Sequence, residues 1–218
     1  MRKQWVAGLV GCAAVGVAGL GGCTSEASVR GQVDGEEVRG GSDAYFDTIE
    51  ADLGVVTVSL TVIAVTDFRN ACDVFEGFLD NEETSCPERC EDYLEVVDEL
   101  GVSTSGGWQV TMLANTSGGK VGSYDHQAIP AIVDTFSASY ATYDTEALSD
   151  QEACERACEG GAIIDGDDVS ARGGDLEIEE ESEDRLIGSF VLDMEGSDTL
   201  EGSFRAKPCD TSDWIPFL

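Results

Sequence analysis

The sequence predicts an α+β fold made mainly of antiparallel β-sheet, as a sandwich or partly open barrel. It adds a disulfide-bearing helical section and a C-terminal three-stranded β-meander. Three observations point there. Apolar and polar residues alternate at the strand period over several segments. Two Cys-x-x-x-Cys pairs follow helix-start signatures. The last third alternates most regularly, between acidic segments of turn chemistry. The apolar fraction, 42% of 218 residues, is that of an ordinary globular domain, so 44 acidic against 12 basic residues do not imply disorder.

The first element is a leader. Arg2 and Lys3 precede an uncharged stretch from Trp5 to Leu20, too short and glycine-rich for a comfortable membrane span. It ends in Leu20-Gly21-Gly22-Cys23. That junction resembles the lipobox of bacterial lipoproteins: an aliphatic residue, two small residues and an obligatory cysteine. The resemblance implies a signal peptide over residues 1–22 and a diacylglyceryl group on the Cys23 thiol. Cleavage before Cys23 then leaves an acylated N-terminus (palmitate included) and a mature chain of 218 − 22 = 196 residues. Thr24, rather than Asp, after the cysteine implies the outer membrane. The competing reading is an ordinary signal peptide with Cys23 as a disulfide partner. Residues 23–30 are expected to be the lipidated N-terminus and tether, and 31–218 a single α+β domain.

Val29, Gly31 and Val33 suggest a first short strand. From Val55 to Val65, Val56, Val58, Leu60, Val62 and Ala64 share the face expected to be buried, and Thr57, Ser59 and Thr61 the other. A helical section is expected from about Phe68 to Leu100, stopped by Gly101. Trp108, Val110 and Met112 return to alternation, Asn115 to Ser123 reads as a turn, and Ala131 to Tyr143 as a strand. Leu176 and Ile178, then Leu186 to Met194, then Leu200 to Ala206 make the meander, with one face buried. Within it Leu186-Ile187-Gly188-Ser189-Phe190 recurs as Leu200-Glu201-Gly202-Ser203-Phe204; its glycines suggest bends or close approach in a curved sheet.

After processing, Cys72, Cys86, Cys90, Cys154, Cys158 and Cys209 remain, an even number in an exported chain, so three disulfides are expected. Ser85 to Glu88 has capping-box spacing, and Ser149 to Glu152 repeats it before Cys154. Each CxxxC pair then lies on one face of a helix. Two such helices stapled face to face leave Cys72 for Cys209. Local pairing of Cys72 with Cys86 or Cys90 competes, as does a four-cysteine zinc site. Neither pair has the CxxC spacing of a redox enzyme.

Net charge −32 argues against nucleic-acid binding, which needs a basic face, and against attraction to anionic lipid. One histidine, His126, excludes any site needing two; beside a serine or cysteine it would serve as a base, and otherwise it is a surface-loop residue. No P-loop, nucleophile elbow or singular carboxylate pair stands out. Asp165, Asp167 and Asp168 are the calcium candidates, in a cluster that starts like an EF-hand loop but has Val169, Ser170 and Leu176 where ligands and glycine belong. Only Lys120 and Lys207 remain after processing, against eight arginines, a composition of salt-adapted surfaces or of cation capture.

The G-x-V strand (Gly31-Gln32-Val33), Asn70-Ala71-Cys72 after a long strand, and the G-S-F hairpin ending at Ala206 and Cys209 are together similar to a loose group of uncharacterised secreted bacterial lipoproteins. That resemblance implies no activity. The expectation is a monomeric, membrane-anchored envelope lipoprotein with a non-enzymatic structural or binding role and no cofactor; a calcium-dependent adhesion module and a carboxylate-based hydrolase are the alternatives.

Overall fold

The computed structural model describes residues 26–52, 57–72, 85–88, 90, 91, 94, 95, 107–129, 132–143, 150–159 and 168–209. Eleven strands form one sheet: β1 (Glu26–Val33), β2 (Glu36–Gly40), β3 (Asp43–Asp52), β4 (Thr57–Thr66), β5 (Gly107–Asn115), β6 (Gly122–His126), β7 (Thr135–Tyr143), β8 (Asp168–Ser170), β9 (Gly173–Ser182), β10 (Arg185–Asp193) and β11 (Thr199–Pro208). Helix α1 (Gln151–Glu159) lies between β7 and β8.

Eight strands close a ring in the order β3-β4-β5-β7-β6-β9-β10-β11. The closing seam is short. Lys207 and Pro208 pair in parallel with Tyr45 and Phe46, and the Cys209 amide donates to the Phe46 carbonyl at 2.8 Å. Further up, β11 pairs instead with β1, so the β1–β2 hairpin fills the gap beside the seam. β8 adds to β7.

The fold is therefore a closed eight-stranded β-barrel, which corrects the expected sandwich or partly open barrel with a helical section. Of the section expected to be helical, residues 71, 72, 86–88, 90, 91, 94 and 95 are helical among the described residues, and 73–84, 89, 92, 93 and 96–101 lie outside them. Closure was invisible in local periodicity because it depends on two residue pairs 162 positions apart in sequence (207 − 45 = 162). β1 begins at Glu26, within the residues 23–30 expected to be a tether. Asn115–Ser123, read as a turn, contributes its last residues to β6, and β7 begins at Thr135 rather than Ala131.

Eight strands leave an interior just wide enough for side chains to fill. Val110, Met112, Phe136, Leu176, Phe190 and Phe204 are among the residues of one continuous buried cluster. The expected face of β4 is reversed: Ile63 and Val65 join that cluster, whereas Ala64 packs outside the ring with Tyr45, Ala71, Cys72, Cys209 and Phe68. Both faces of β4 are covered at this end, so alternation cannot say which is inner.

The repeat in the meander has a packing explanation. Antiparallel register sets Gly188 opposite Phe204 and Phe190 opposite Gly202. A Cβ on Gly188 would lie 2.6 Å from the Phe204 ring, and one on Gly202 2.5 Å from the Phe190 ring. Each phenylalanine thus lies over the other strand's glycine, a reciprocal form of aromatic cover for a curved sheet.

Candidate functional site

Cys23 and the expected signal peptide over residues 1–22 lie outside the described residues, as do Asp165 and Asp167. Asp168 begins β8, exposed and paired by its backbone with Ala141. Among the described residues no group of three His, Cys, Asp or Glu side chains is placed to hold a metal. No helix among them is long and apolar enough to cross a membrane.

The six remaining cysteines form three disulfides: Cys72–Cys209, Cys86–Cys158 and Cys90–Cys154. This is the face-to-face staple with Cys72 left for Cys209. The Ser85 amide donates to a Glu88 carboxylate oxygen at 3.3 Å, one arm of a capping box, and the Ser85 hydroxyl donates to the same oxygen at 2.8 Å. The cap of α1 is one residue later than expected: Asp150, not Ser149, accepts from the Ala153 amide at 2.8 Å. Gln151 donates to the Pro87 carbonyl at 2.8 Å, adding a polar link between the stapled segments.

The Cys72–Cys209 bond stands beside the seam. Asp43, buried at the start of β3, accepts the Ala71 amide at 3.1 Å and so fixes the turn that carries Cys72. Asp67, just past β4, accepts the Trp108 amide at 2.9 Å. Burial raises the Asp67 carboxyl above its ordinary range, against the lowering effect of the backbone hydrogen bonds. Tyr140 stacks on Trp108 with ring centroids 6.3 Å apart. Its hydroxyl is pushed up by burial, then by Asp67 and Glu36. Neither Asp43 nor Asp67 was singled out in the sequence; the one available signal was a carboxylate flanking a strand boundary.

His126 ends β6 with its ring edge-on to Phe136, centroids 5.6 Å apart. Burial lowers its pKa, and Asp193 opposes that. No nucleophile is hydrogen-bonded to it among the described residues, so the geometry of a general base is not assembled.

The end of the barrel holding the β5–β6 loop is held by polar contacts. Tyr124 donates to the carbonyls of Gly119 at 2.8 Å and Lys120 at 2.6 Å. Burial, with Asp134 and Glu181, pushes its phenol up to about 12. Lys120 bonds Glu181 at 2.7 Å and lies 5.6 Å from the centre of the Phe46 ring, spanning the mouth. Thr61 and Thr116 exchange a buried hydroxyl bond at 2.9 Å. These contacts tie the β5–β6 loop to β3, β4 and β9.

No family model matches the chain, and no curated protein or solved structure is significantly similar to it.

Proposed function

We propose that the chain is an exported monomer held at the outer membrane by a diacylglyceryl group on Cys23, with a non-catalytic structural or binding role in the cell envelope. The observation that carries this reading is the set of three disulfides, which belongs to an oxidising compartment outside the cytoplasm. The lipobox-like Leu20-Gly21-Gly22-Cys23 supplies the anchor on the same side of the membrane. One acyl chain holds a protein marginally and two or more hold it stably, so a diacylated cysteine is sufficient attachment.

A non-catalytic role is favoured by how the titratable groups are used. Asp43 and Asp67 accept backbone amides. His126 packs on an aromatic ring, and the barrel interior is occupied by its own side chains. The acidic outer surface carries exposed ion pairs such as Arg156–Glu152 and Arg185–Glu180, which add little stability and keep the protein hydrated.

The test is fractionation of cells making the full chain or Cys23→Ser. The unaltered protein is expected in the membrane pellet, with an N-terminal peptide heavier by the acyl groups, and the variant in the soluble fraction. Equal partitioning of the two would refute the anchor.

A further inference from the structure

Among the described residues five large apolar side chains are exposed, and four of them lie on two neighbouring loops. Val121 (58% exposed) ends the β5–β6 loop; Ile129 (77%), Ile132 (64%) and Val133 (44%) belong to the β6–β7 loop. We propose that these loops form a membrane-contacting surface that rests on the zwitterionic phospholipid layer to which Cys23 is anchored. The proposal depends on the anchor reading above.

The two loops meet where Val133 and Asp134 approach Gly118 and Asn115. A Cβ on Gly118 would lie 3.0 Å from the Val133 methyl, and the Asp134 amide donates to the Asn115 carbonyl at 3.3 Å. The two Tyr124 hydrogen bonds hold the first loop from below. Apolar side chains on a fixed support meet a bilayer without the ordering cost of a disordered segment.

Position relative to the anchor follows from strand register. Glu26, the first residue of β1, is opposite Arg205 on β11; Arg205 is opposite Ile187 on β10, and Ile187 opposite Glu180 on β9. The next residue, Glu181, holds Lys120 of the β5–β6 loop. The chain therefore enters the barrel at the end where the β5–β6 loop lies, with Val133 of the β6–β7 loop beside it. Cys23 precedes Glu26 by three residues, a reach of roughly 10 Å when extended. So short a tether holds this end, and not the other, against the layer that takes the acyl chains.

Charge selects the lipid. From Gly107 to Val133 the charged residues are Lys120 and Asp125, in a chain with 44 acids. Lys120 is engaged by Glu181, so the patch offers no free cation to anionic headgroups. Glu183 and Asp184 are exposed on the adjoining β9–β10 turn and repel them. The contact is thus apolar insertion at a neutral interface.

The experiment reads tryptophan emission in the lipidated full chain reconstituted in phosphatidylcholine vesicles. Ile129→Trp and Ile132→Trp are compared with Val191→Trp, which is exposed on the barrel wall. The two loop variants are expected to shift to the blue and to lose emission to brominated phosphatidylcholine, while Val191→Trp does neither. Replacing part of the lipid with phosphatidylglycerol at low salt is expected to weaken the quenching. Emission identical among the three variants would overturn the proposal. A lipid-free chain that dimerises in solution and is returned to monomer by Ile129→Asp would also overturn it, since the patch would then be covered by a second copy. Repeating the measurement with an N-terminal hexahistidine tag on nickel-chelating vesicles, in place of the acyl group, separates the two readings. Quenching there supports loop contact even if the natural N-terminus carries no lipid.

Discussion

Along β9, β10 and β11 buried and exposed side chains take turns, whereas Asp43–Phe46 of β3 and Thr61–Thr66 of β4 are buried without interruption. The first wall has water behind it. The second has protein on both sides: Ile63 and Val65 face the core, while Tyr45 and Ala64 pack under Phe68, Ala71 and the Cys72–Cys209 bond. One wall is held by its own cross-strand pairs and the other by a small outer cluster with a covalent clip. A tightly packed wall can stand without an outer layer, but a seam of two residue pairs needs one.

Removing the clip is the strongest way to break this contrast. Cys72→Ala with Cys209→Ala deletes a link between positions 137 apart, which costs about 5 kcal/mol in the chain-entropy description. Hydrogen exchange should then quicken at Asp43–Phe46 and Thr61–Thr66 more than along β9–β11. Equal loss of protection in both walls would mean that the seam has no separate dependence on the bond.

Gly202→Ala attacks the self-supporting wall. The new methyl would meet the Phe190 ring at 2.5 Å and the Ser28 carbonyl at 2.8 Å, so it is trapped between a side chain and a backbone that cannot both retreat. Overpacking of this kind costs about 1–3 kcal/mol. Adding Phe190→Leu should return part of the loss, because a smaller side chain frees the space over the glycine. Thermal melts of the single and double variants test it. A Gly202→Ala melt matching that of the unaltered protein would remove the reciprocal glycine–phenylalanine pairing as a source of stability.

The same difference decides what could be read from the residues. Glu177 and Glu179 alternate with Leu176 and Ile178 and mark the wet and dry sides of a strand, so the meander was legible. The staple was legible too, because capping signals placed each CxxxC on a helix face. In β4 the run Thr61–Thr66 is buried on both sides, and parity chose the outer set of residues as the core. Barrel closure rests on Lys207 and Pro208 finding Tyr45 and Phe46, a long-range event without local pattern. Of the candidate sites, the six paired cysteines were visible in their number and spacing. Asp67 was one acid among 44, and only burial distinguishes it.

That burial gives the smallest effect and a clear sign. Asp67 sits where β4 leaves the doubly covered wall, and its folded-state pKa is raised, chiefly by desolvation. The folded protein therefore binds a proton more tightly there than the unfolded chain does. As pH rises from the ordinary carboxylate range through the raised value, the folded state must ionise a partly desolvated group, and stability falls. Asp67→Asn keeps an oxygen to accept the Trp108 amide and has no charge to bury. The two proteins should melt together at low pH, and the variant should gain about 1–3 °C by neutral pH, a modest figure because the group is partly solvated. Tyr140, whose hydroxyl is raised in part by Asp67, is neutral over this range and supplies no positive charge to hold the carboxylate. A difference in melting temperature that stays constant across the titration would show that the Asp67 environment does not disfavour its charge, and that this edge of the covered wall is as well hydrated as the meander.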